Sequence, residues 1–428
     1  MSRILIKGGF VIDPGRYNGL GDVLIENGKI AAVGKSVPNA KGNDTAVIDA
    51  SGKHVFPGFI DLHVHFREPG YEYKETIESG AASAVAGGFT SVCCMPNTNP
   101  INDNQAVTEF ILDRARAAGT ARVFPVGAIT KGSEGKELSE IGDLYKAGCV
   151  AISDDGRPVM NSNVMRRAME YARAFDLPVV DHCEDLHLSE GGCLNEGQVS
   201  TELGLAGIPR AAEDVMVARN VALAELTGAR LHLAHLSTVG SVRTVRDAKA
   251  RGVKVTAEAC PHHFTLTEEA ARGYDTHAKM NPPLRTWEDV HAVKEGLRDG
   301  TIDAIATDHA PHAVQDKQQD FAAAPFGVVG LETALPLTLA LVEEGVLPLE
   351  QAIEKLTSAP ARAFGLPYGT LAVGAAADVA IVDLQRGWEV DPTKFKSRSR
   401  NTPFTGWKMK GQVVVTIVGG RVVFDAQA

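Results

Sequence analysis

The chain has 428 residues, of which 44% are hydrophobic and 22% charged. This is enough apolar material to bury a large core, so extensive disorder is excluded. The formal net charge is −10 at pH 7, and no cluster of Lys and Arg stands out, which argues against a nucleic-acid partner.

The sequence offers no obvious membrane segment. Its longest apolar stretch, residues 334–342, contains Pro336 and Thr338 and is too short to cross a bilayer. Charge and glycine interrupt the N-terminal residues too early for a signal-peptide core. The six cysteines form no CxxC pair, and we expect reduced, buried thiols. We therefore expect a cytoplasmic protein that does not bind membranes.

Short strand-like segments broken by glycine turns occupy both ends of the chain. They are typical of residues 1–57 and recur in residues 365–428. Because each end is too short to enclose a core of its own, we expect the two ends to pair into one small composite β-sandwich.

Between these ends, residues 58–364 alternate strand-like apolar runs with helix-length segments such as 105–118 and 163–175. The runs that we assign to strands are 59–66, 90–96, 122–129, 149–154, 178–183, 230–236, 253–259 and 302–307. Eight such units predict an α/β fold, a (β/α)8 barrel of the TIM type. Catalytic residues of such barrels lie where the strands end.

The first barrel strand carries His63 and His65. Side chains of a strand alternate between its two faces, so these histidines should point to one side while Leu62, Val64 and Phe66 pack outward. Two imidazoles on one face could bind a metal ion, although the pair alone could also be two unrelated histidines.

Other predicted strands also end in imidazoles or carboxylates. These ends read Asp181-His182-Cys183-Glu184, His232-Leu233-Ala234-His235-Leu236-Ser237 and Ala306-Thr307-Asp308-His309-Ala310-Pro311-His312. Ligands of this kind suit Zn(II), with Mn(II), Co(II) or Fe(II) as alternatives. The fourth strand ends in Asp154 and Asp155, and periodicity does not decide which of the two points into the site. We expect His232 to be a packed core histidine.

These residues resemble the amidohydrolase superfamily and, within it, the shorter-chain bacterial type of dihydroorotase. The resemblance covers essentially the whole chain and is most specific in residues 61–69 (Asp-Leu-His-Val-His-Phe-Arg-Glu-Pro) and 306–312 (Ala-Thr-Asp-His-Ala-Pro-His), with Lys317 after four intervening residues. It implies an enzyme of pyrimidine biosynthesis that cyclises N-carbamoyl-L-aspartate to L-dihydroorotate reversibly, with a metal-bridged hydroxide and with Asp308 as general acid and base.

The resemblance also implies a set of metal ligands for two zinc ions per subunit. One ion would be bound by His63, His65 and Asp308, and the second by His182 and His235. Many relatives bridge the ions with a carbamoylated lysine, but no lysine lies between residues 146 and 249. The resemblance therefore assigns the bridge to Asp155 and leaves for His262 and His263 a role beside the metal ligands or in a loop.

Substrate-binding residues are implied in the same way. Arg67 follows His65 on the same face and offers a planar fork for a carboxylate, although a surface salt bridge is the simpler alternative. Turn formation beside proline is a serious alternative for Asn97 and Asn281. The implied set is His65, Arg67, Asn97, Asn281, His312, Phe326 and Gly327. Residues 312–327 are expected to form a mobile lid over the site.

Two other functions remain open on the sequence alone. A hydantoinase or dihydropyrimidinase would share the barrel and the paired histidines, but those relatives use the bridging lysine. A non-catalytic subunit that assembles with aspartate transcarbamoylase would not require the ligand set. The sequence leaves open which metal is bound. It also leaves open the oligomeric state, for which a homodimer is the default, and whether the protein forms a complex with aspartate transcarbamoylase.

Overall fold

The computed structural model describes residues 3–37 and 45–426, so residues 1–2, 38–44 and 427–428 of the expected sandwich lie outside it. Its N-terminal part forms five strands: β1 (Arg3–Asp13), β2 (Tyr17–Glu26), β3 (Lys29–Gly34), β4 (Thr45–Asp49) and β5 (His54–Pro57). β2 and β3 form an antiparallel hairpin. Its turn is Asn27-Gly28, with φ of 51° and 77°, the residue pair that suits a tight hairpin turn.

The middle of the chain contributes ten further strands. They are β6 (Phe59–Val64), β7 (Phe89–Cys94), β8 (Arg122–Gly127), β9 (Ala151–Ser153), β10 (Val179–Asp181), β11 (Leu194–Asn195), β12 (Gly207–Ile208), β13 (Leu231–Leu233), β14 (Val255–Ala259) and β15 (Ala304–Ile305). All except β11 and β12 form one eight-stranded parallel sheet in chain order. A bridge between Val64 and His309 nearly closes this sheet into a barrel.

Helices follow the barrel strands. They are α1 (Ile77–Ala86), α2 (Gln105–Ala118), α3 (Ile141–Ala147), α4 (Ser162–Arg173), α5 (Gln198–Leu203), α6 (Arg210–Thr227), α7 (Val239–Ala250), α8 (Pro261–Thr265), α9 (Trp287–Asp299), α10 (Val314–Lys317), α11 (Ala334–Glu343), α12 (Leu349–Glu354) and α13 (Ser358–Phe364). None among the described residues has the length and apolarity that a membrane crossing needs.

Helix α2 shows why these segments fold as they do. The Asn104 side chain accepts a hydrogen bond from the backbone N–H of Val107 and so caps the first turn, and Gly119 ends the helix in the left-handed conformation. Val107, Ile111 and Ala115 are buried at intervals of four residues. This apolar stripe packs the helix against the barrel.

The C-terminal strands β16 (Val379–Glu389), β17 (Lys408–Val418) and β18 (Arg421–Asp425) complete the N-terminal sheet. Its order is β18-β17-β16-β5-β1-β2-β3, with β4 paired to β1. Since β16 pairs directly with β5, the two chain ends share one core. The predicted barrel with a composite β unit is confirmed, while the boundaries 1–57, 58–364 and 365–428 stay a prediction.

One detail of the sequence analysis is wrong. Leu62 was expected to pack outward with Val64 and Phe66, but it lies in a buried cluster with Ile60 and residues of the other barrel strands, and therefore inside the barrel. Val64 and Phe66 belong to the cluster that the outer helices cover. The pairing of β6 with β7 shifts register between Asp61 and Val64, and this irregularity breaks the simple alternation.

Candidate active site

Six buried side chains converge where five barrel strands end. Each is at most 6% exposed, and each lies at the end of β6, β9, β10, β13 or β15, or one to three residues beyond it. They are the metal ligands expected from the sequence: His63, His65, Asp155, His182, His235 and Asp308.

Asp155 occupies the centre of this cluster. Its Oδ1 lies 3.4 Å from His63 Nε2 and 3.8 Å from both His182 Nδ1 and His235 Nε2. Its Oδ2 lies 3.5 Å from His65 Nε2. One carboxylate therefore reaches all four imidazoles, as a bridging group must.

Asp154 points elsewhere. Its carboxylate accepts hydrogen bonds from the backbone N–H groups of Ile129 and Thr130, at 2.8 and 3.1 Å, and from the Thr130 hydroxyl. It stabilises the turn that follows β8. The strand's phase, which periodicity left open, thus directs Asp155 rather than Asp154 into the cluster.

Asp308 also approaches the imidazoles of His63 and His65. Its Oδ1 is 2.9 Å from His65 Nε2 and 3.6 Å from His63 Nε2. Burial disfavours the charged carboxylate, but the hydrogen bond from His65 and the neighbouring imidazoles hold the pKa of Asp308 below its ordinary value. Asp308 is therefore a carboxylate and can accept a proton.

The cluster fits divalent cations. Three of its buried polar atoms have no hydrogen-bond partner: His63 Nε2, His235 Nδ1 and Asp155 Oδ1, and orphaned buried polar atoms are rare unless something binds them. Two groups have ligand atoms within 4.8 Å of one another: His63, His65 and Asp308, and His63, Asp155 and His235. Nitrogen and oxygen donors of this kind are those that zinc accepts.

Electrostatics support the same conclusion. Burial alone would lower the pKa of His63, yet Asp155, Glu258 and Asp308 hold it well above the ordinary value. Burial opposes ionisation of Asp155 too, yet the charge of His63 and the nearby imidazoles of His235 and His65 hold its pKa well below the ordinary value. The buried carboxylates thus require positive charge nearby, which metal ions supply as well as protons do.

Glu258 on β14 is a site residue that the sequence analysis missed. Its Oε1 lies 2.8 Å from His63 Nδ1 and its Oε2 lies 3.1 Å from His232 Nε2. Burial acts against ionisation, but these two histidines lower the pKa of Glu258 to about 2. His232 is fully buried, as expected, and also donates to this carboxylate. The sequence does contain a signal for Glu258, because a carboxylate within an otherwise apolar strand needs a buried partner.

Arg67 and His312 lie together on the side expected to bind the substrate carboxylate. Arg67 donates from Nε to the Pro311 carbonyl at 3.2 Å, and its Nη2 is 3.5 Å from His312 Nε2. His312 Nε2 is 2.7 Å from the Phe326 carbonyl, and Nδ1 is 3.4 Å from Lys74 Nζ. Because a carbonyl only accepts, Nε2 carries the proton. Lys74 is a second residue that the sequence analysis missed.

The electrostatic surroundings of His312 are cationic. Burial, followed by the charges of Arg67, Lys317 and Lys74, lowers the pKa of His312 to about 2. The imidazole is therefore neutral, and the positive charge around it comes from the arginine and the lysines. An anionic group is the ligand that such surroundings attract.

Asn97 and Asn281 contact the predicted metal ligands. Asn97 Oδ1 lies 2.8 Å from His65 Nδ1, so it fixes the orientation of that imidazole. Asn281 Nδ2 donates to Glu184 Oε2 at 2.8 Å, and the same oxygen lies 3.1 Å from His182 Nε2. Glu184 is a third residue that the sequence analysis missed.

Phe326 and Gly327 end the expected lid. The Gly327 N–H donates to the Lys279 carbonyl at 3.0 Å. At φ 134° a Cβ on Gly327 would come within 2.8 Å of Ala310 Cβ, so only glycine fits here. Within residues 312–327 the structure forms helix α10 and buries Phe321. The mobility of this segment stays a prediction.

His262 and His263 lie in helix α8, next to Cys260 and apart from the six clustered side chains. His263 Nε2 donates to the Pro282 carbonyl at 2.9 Å. Burial lowers the pKa of both imidazoles, to about 4 for His262, so both are neutral. Their expected role, beside the metal ligands or in a loop, stays a prediction.

The backbone is strained at the same place. Arg67, His235 and Asp308 have φ of 62°, 31° and 48°, a left-handed region that residues other than glycine rarely adopt. Such strain persists where the surrounding structure fixes it, and functional sites are common examples. The strained positions therefore coincide with residues that are predicted to bind the metal ions or the substrate.

Comparisons with known proteins agree with this geometry. Residues 52–241 match the family model described as Dihydro-orotase-like, and residues 199–424 match the model described as Amidohydrolase family. The chain is 59% identical over 423 residues to a protein named Dihydroorotase from Syntrophotalea carbinolica and 55% identical over 424 residues to one from Syntrophus aciditrophicus, covering 99% of each pair. It also superposes on the L-hydantoinase (dihydropyrimidinase) of Arthrobacter aurescens with a TM-score of 0.88, at 27% identity and covering 99% of this chain and 96% of that one. The chain therefore belongs to the dihydroorotase family within the amidohydrolases.

Proposed function

We propose that the protein catalyses the dihydroorotase reaction, the reversible cyclisation of N-carbamoyl-L-aspartate to L-dihydroorotate and water in pyrimidine biosynthesis. The observation that carries this proposal is the convergence of the six histidine and aspartate side chains beside Arg67 and His312. The protein is accordingly a metal-dependent hydrolase that acts on a cyclic amide of small-molecule size.

Two zinc ions per subunit are the proposed cofactors. His63, His65 and Asp308 would hold one ion, His182 and His235 the other, and Asp155 would contact both. When bound, zinc would supply Lewis-acid polarisation of the amide carbonyl and positive charge that favours ionisation of water at the site. The orphaned atoms His63 Nε2 and Asp155 Oδ1 support this assignment.

Asp308 is the proposed general base and acid. In ring opening, its carboxylate takes a proton from water as the water oxygen bonds to the amide carbon, and then gives this proton to the departing ring nitrogen as the carbon-nitrogen bond breaks. Ring closure runs through the same steps in reverse. The ionised state of the Asp308 carboxylate and its position in the cluster, with Oδ1 2.9 Å from His65 Nε2, support its role as the proton acceptor.

Substrate orientation is assigned to the cationic side of the site. Arg67 would bind the carboxylate that the ring retains, because its guanidinium can donate two parallel hydrogen bonds. Asn97 and His312 would complete that contact, His65 would lie beside it, and Asn281 would position the ring. The backbone of Phe326 and Gly327 would border the ring, and residues 312–327 would close over it.

A hydantoinase activity is not favoured, although the fold is shared. Relatives of that type use a bridging lysine, and residues 147–248 contain none. A non-catalytic role is not favoured either, because all six predicted ligands are present and converge.

We also propose a cellular location and partners for the protein. The six free, buried cysteines suit the reducing cytoplasm. A homodimer is the common default among soluble oligomers, and the family resemblance suggests aspartate transcarbamoylase as a partner. Light scattering of the purified chain, with and without that partner, would test both associations.

The proposed reaction is tested by following ring opening of L-dihydroorotate through its ultraviolet absorbance. Zinc-loaded and chelator-treated protein should be compared, with hydantoin and dihydrouracil as parallel substrates. We expect metal-dependent turnover of L-dihydroorotate alone. Turnover of hydantoin or dihydrouracil instead would contradict the role of Arg67, and no turnover with metal bound would support the non-catalytic alternative.

A further inference from the structure

Lys317 belongs to the motif that follows Asp308, yet the reaction described above gives it no role. It ends helix α10 and is 4% exposed. Its ammonium donates to the carbonyl oxygens of Thr276, Lys279 and Pro325, at 3.0, 3.2 and 2.8 Å. An ammonium has three N–H donors, so all of them are used by backbone carbonyls.

These carbonyls lie on two separate segments of the substrate side. Thr276 and Lys279 precede Asn281, whereas Pro325 precedes Phe326 and Gly327. Two further hydrogen bonds strengthen the junction: the Thr276 hydroxyl donates to the Lys317 carbonyl at 2.6 Å, and the Gly327 N–H donates to the Lys279 carbonyl at 3.0 Å. Lys317 thus lies where the two segments meet.

Lys279 holds the same loop from the other side. Its ammonium donates to the carbonyls of Phe321 and Ala322, at 2.7 and 3.0 Å, and lies 4.6 Å from the centroid of the Phe326 ring. This last distance allows a cation–π interaction. Two buried ammonium groups therefore fix residues 321–326 through neutral partners.

The burial of the Lys317 ammonium lowers the free energy of unfolding of the protein, so stability does not explain its presence. Within the part of the chain that the structure describes, the hydrogen bonds of the Lys317 side chain all go to neutral backbone carbonyls, and burial followed by the charge of Lys279 lowers its pKa to about 7. An apolar side chain could fill the same volume without the cost of removing an ammonium from water. Lys317, unlike an apolar residue, fixes the positions of three carbonyl groups.

We propose that Lys317 is a positioning residue for substrate binding, which joins the segment carrying Asn281 to the segment carrying Phe326 and Gly327 and so sets the width of the substrate site. The proposal rests on the dihydroorotase activity proposed above. Because its donors are all used by carbonyls, Lys317 acts through these backbone segments and not by touching the substrate.

The test replaces Lys317 by methionine, which keeps the chain length and removes the donors. The matched control is Lys355→Met, since Lys355 is also buried, donates to the Ile302 carbonyl at 2.6 Å and has its pKa lowered by burial to about 8. Ile302 precedes β15, whereas Asp308 follows that strand, so Lys355 lies at the opposite end of the barrel from the site.

For Lys317→Met we expect KM for L-dihydroorotate to rise on the order of tenfold, since the hydrogen bonds that hold the two substrate-side segments together are lost. We expect kcat to stay within about threefold of the wild-type value and zinc content to stay unchanged. For Lys355→Met both kinetic constants should stay unchanged. A wild-type KM in Lys317→Met, or an equal rise in both variants, would overturn the proposal.

Limited proteolysis within residues 318–325 gives a second readout that does not depend on turnover. Metal-loaded Lys317→Met should be cleaved there faster than Lys355→Met, and equal rates would contradict the proposal. If Lys317→Met does not fold, Lys317→Gln takes its place in both experiments. Absence of wild-type turnover would refute the proposed function and with it the substrate-binding role of Lys317, while the cleavage comparison would still decide whether Lys317 holds the two segments together.

Discussion

The Glu258 carboxylate lies 2.8 Å from Nδ1 of His63. Because an ionised carboxylate only accepts, Nδ1 of His63 carries a proton, so the proton that a bound cation would displace is the one on Nε2, which faces Asp155 at 3.4 Å. Imidazoles that bind metals commonly donate their second N–H to a carboxylate in this way. Glu258, on another barrel strand, therefore orients His63 so that its Nε2 can bind a cation.

Replacing Glu258 by glutamine should weaken zinc binding by about 10- to 100-fold, because the neutral amide is a poorer acceptor and no longer fixes the tautomer. Competition with a chromophoric chelator measures the affinity. Glu332→Gln serves as the control, since Glu332 is another buried carboxylate that contacts Ser83 and the backbone of Lys396 rather than the site. Equal zinc affinity in Glu258→Gln and the control would argue against the proposed role of Glu258.

Replacing Asp308 by asparagine should lower kcat for ring opening by about 10²- to 10⁴-fold, because the amide cannot carry the proton between water and the ring nitrogen. The variant should remain folded and retain bound zinc, as metal analysis and the thermal midpoint would show. Turnover at the wild-type rate would refute Asp308 as the general base.

Replacing Arg67 by methionine should raise KM for L-dihydroorotate on the order of tenfold to a hundredfold, because the charged hydrogen bonds to the retained carboxylate are lost. Dihydrouracil lacks this carboxylate, so the preference for L-dihydroorotate over dihydrouracil, measured as KM against the inhibition constant of dihydrouracil, should fall by a similar factor. Arg67→Lys keeps the charge but not the planar fork and should be intermediate. An unchanged preference in Arg67→Met would place the carboxylate elsewhere.

The pH dependence of stability should contain a contribution from Glu332. Burial raises its pKa from 4.5 to about 7, so between these values the folded state binds more protons than the unfolded state does. This contribution is fully present below pH 4.5 and is lost as the pH rises through 7. The thermal midpoint of the wild type, relative to Glu332→Gln, should therefore fall between pH 4.5 and 8.

The control for this measurement is Glu343→Gln, because Glu343 is exposed at the end of α11. That variant should follow the wild type across the same pH range. A constant difference between the wild type and Glu332→Gln at all pH values would contradict a raised pKa at Glu332.

The residues that carry the chemistry were visible in the sequence because strand periodicity and strand ends are local properties. His63 and His65 share a side through spacing alone, and the ends of separate apolar runs supplied His182, His235 and Asp308. Helix α2 was predicted with its observed bounds, since Asn104 and Gly119 mark its ends. An irregularity in strand register depends on the partner strand and not on the local sequence, so the position of Leu62 inside the barrel could not be predicted from periodicity.

The sequence by itself determined the barrel, the composite β unit and the imidazoles and carboxylates at the strand ends, because these depend on apolar periodicity and residue type. Only the tertiary structure decided that Asp155 rather than Asp154 enters the cluster, that Glu258 and Asn97 orient His63 and His65, and that Lys317 joins two loops. Each of these depends on hydrogen bonds between residues far apart in the chain, whose direction is set by how the strands and loops pack.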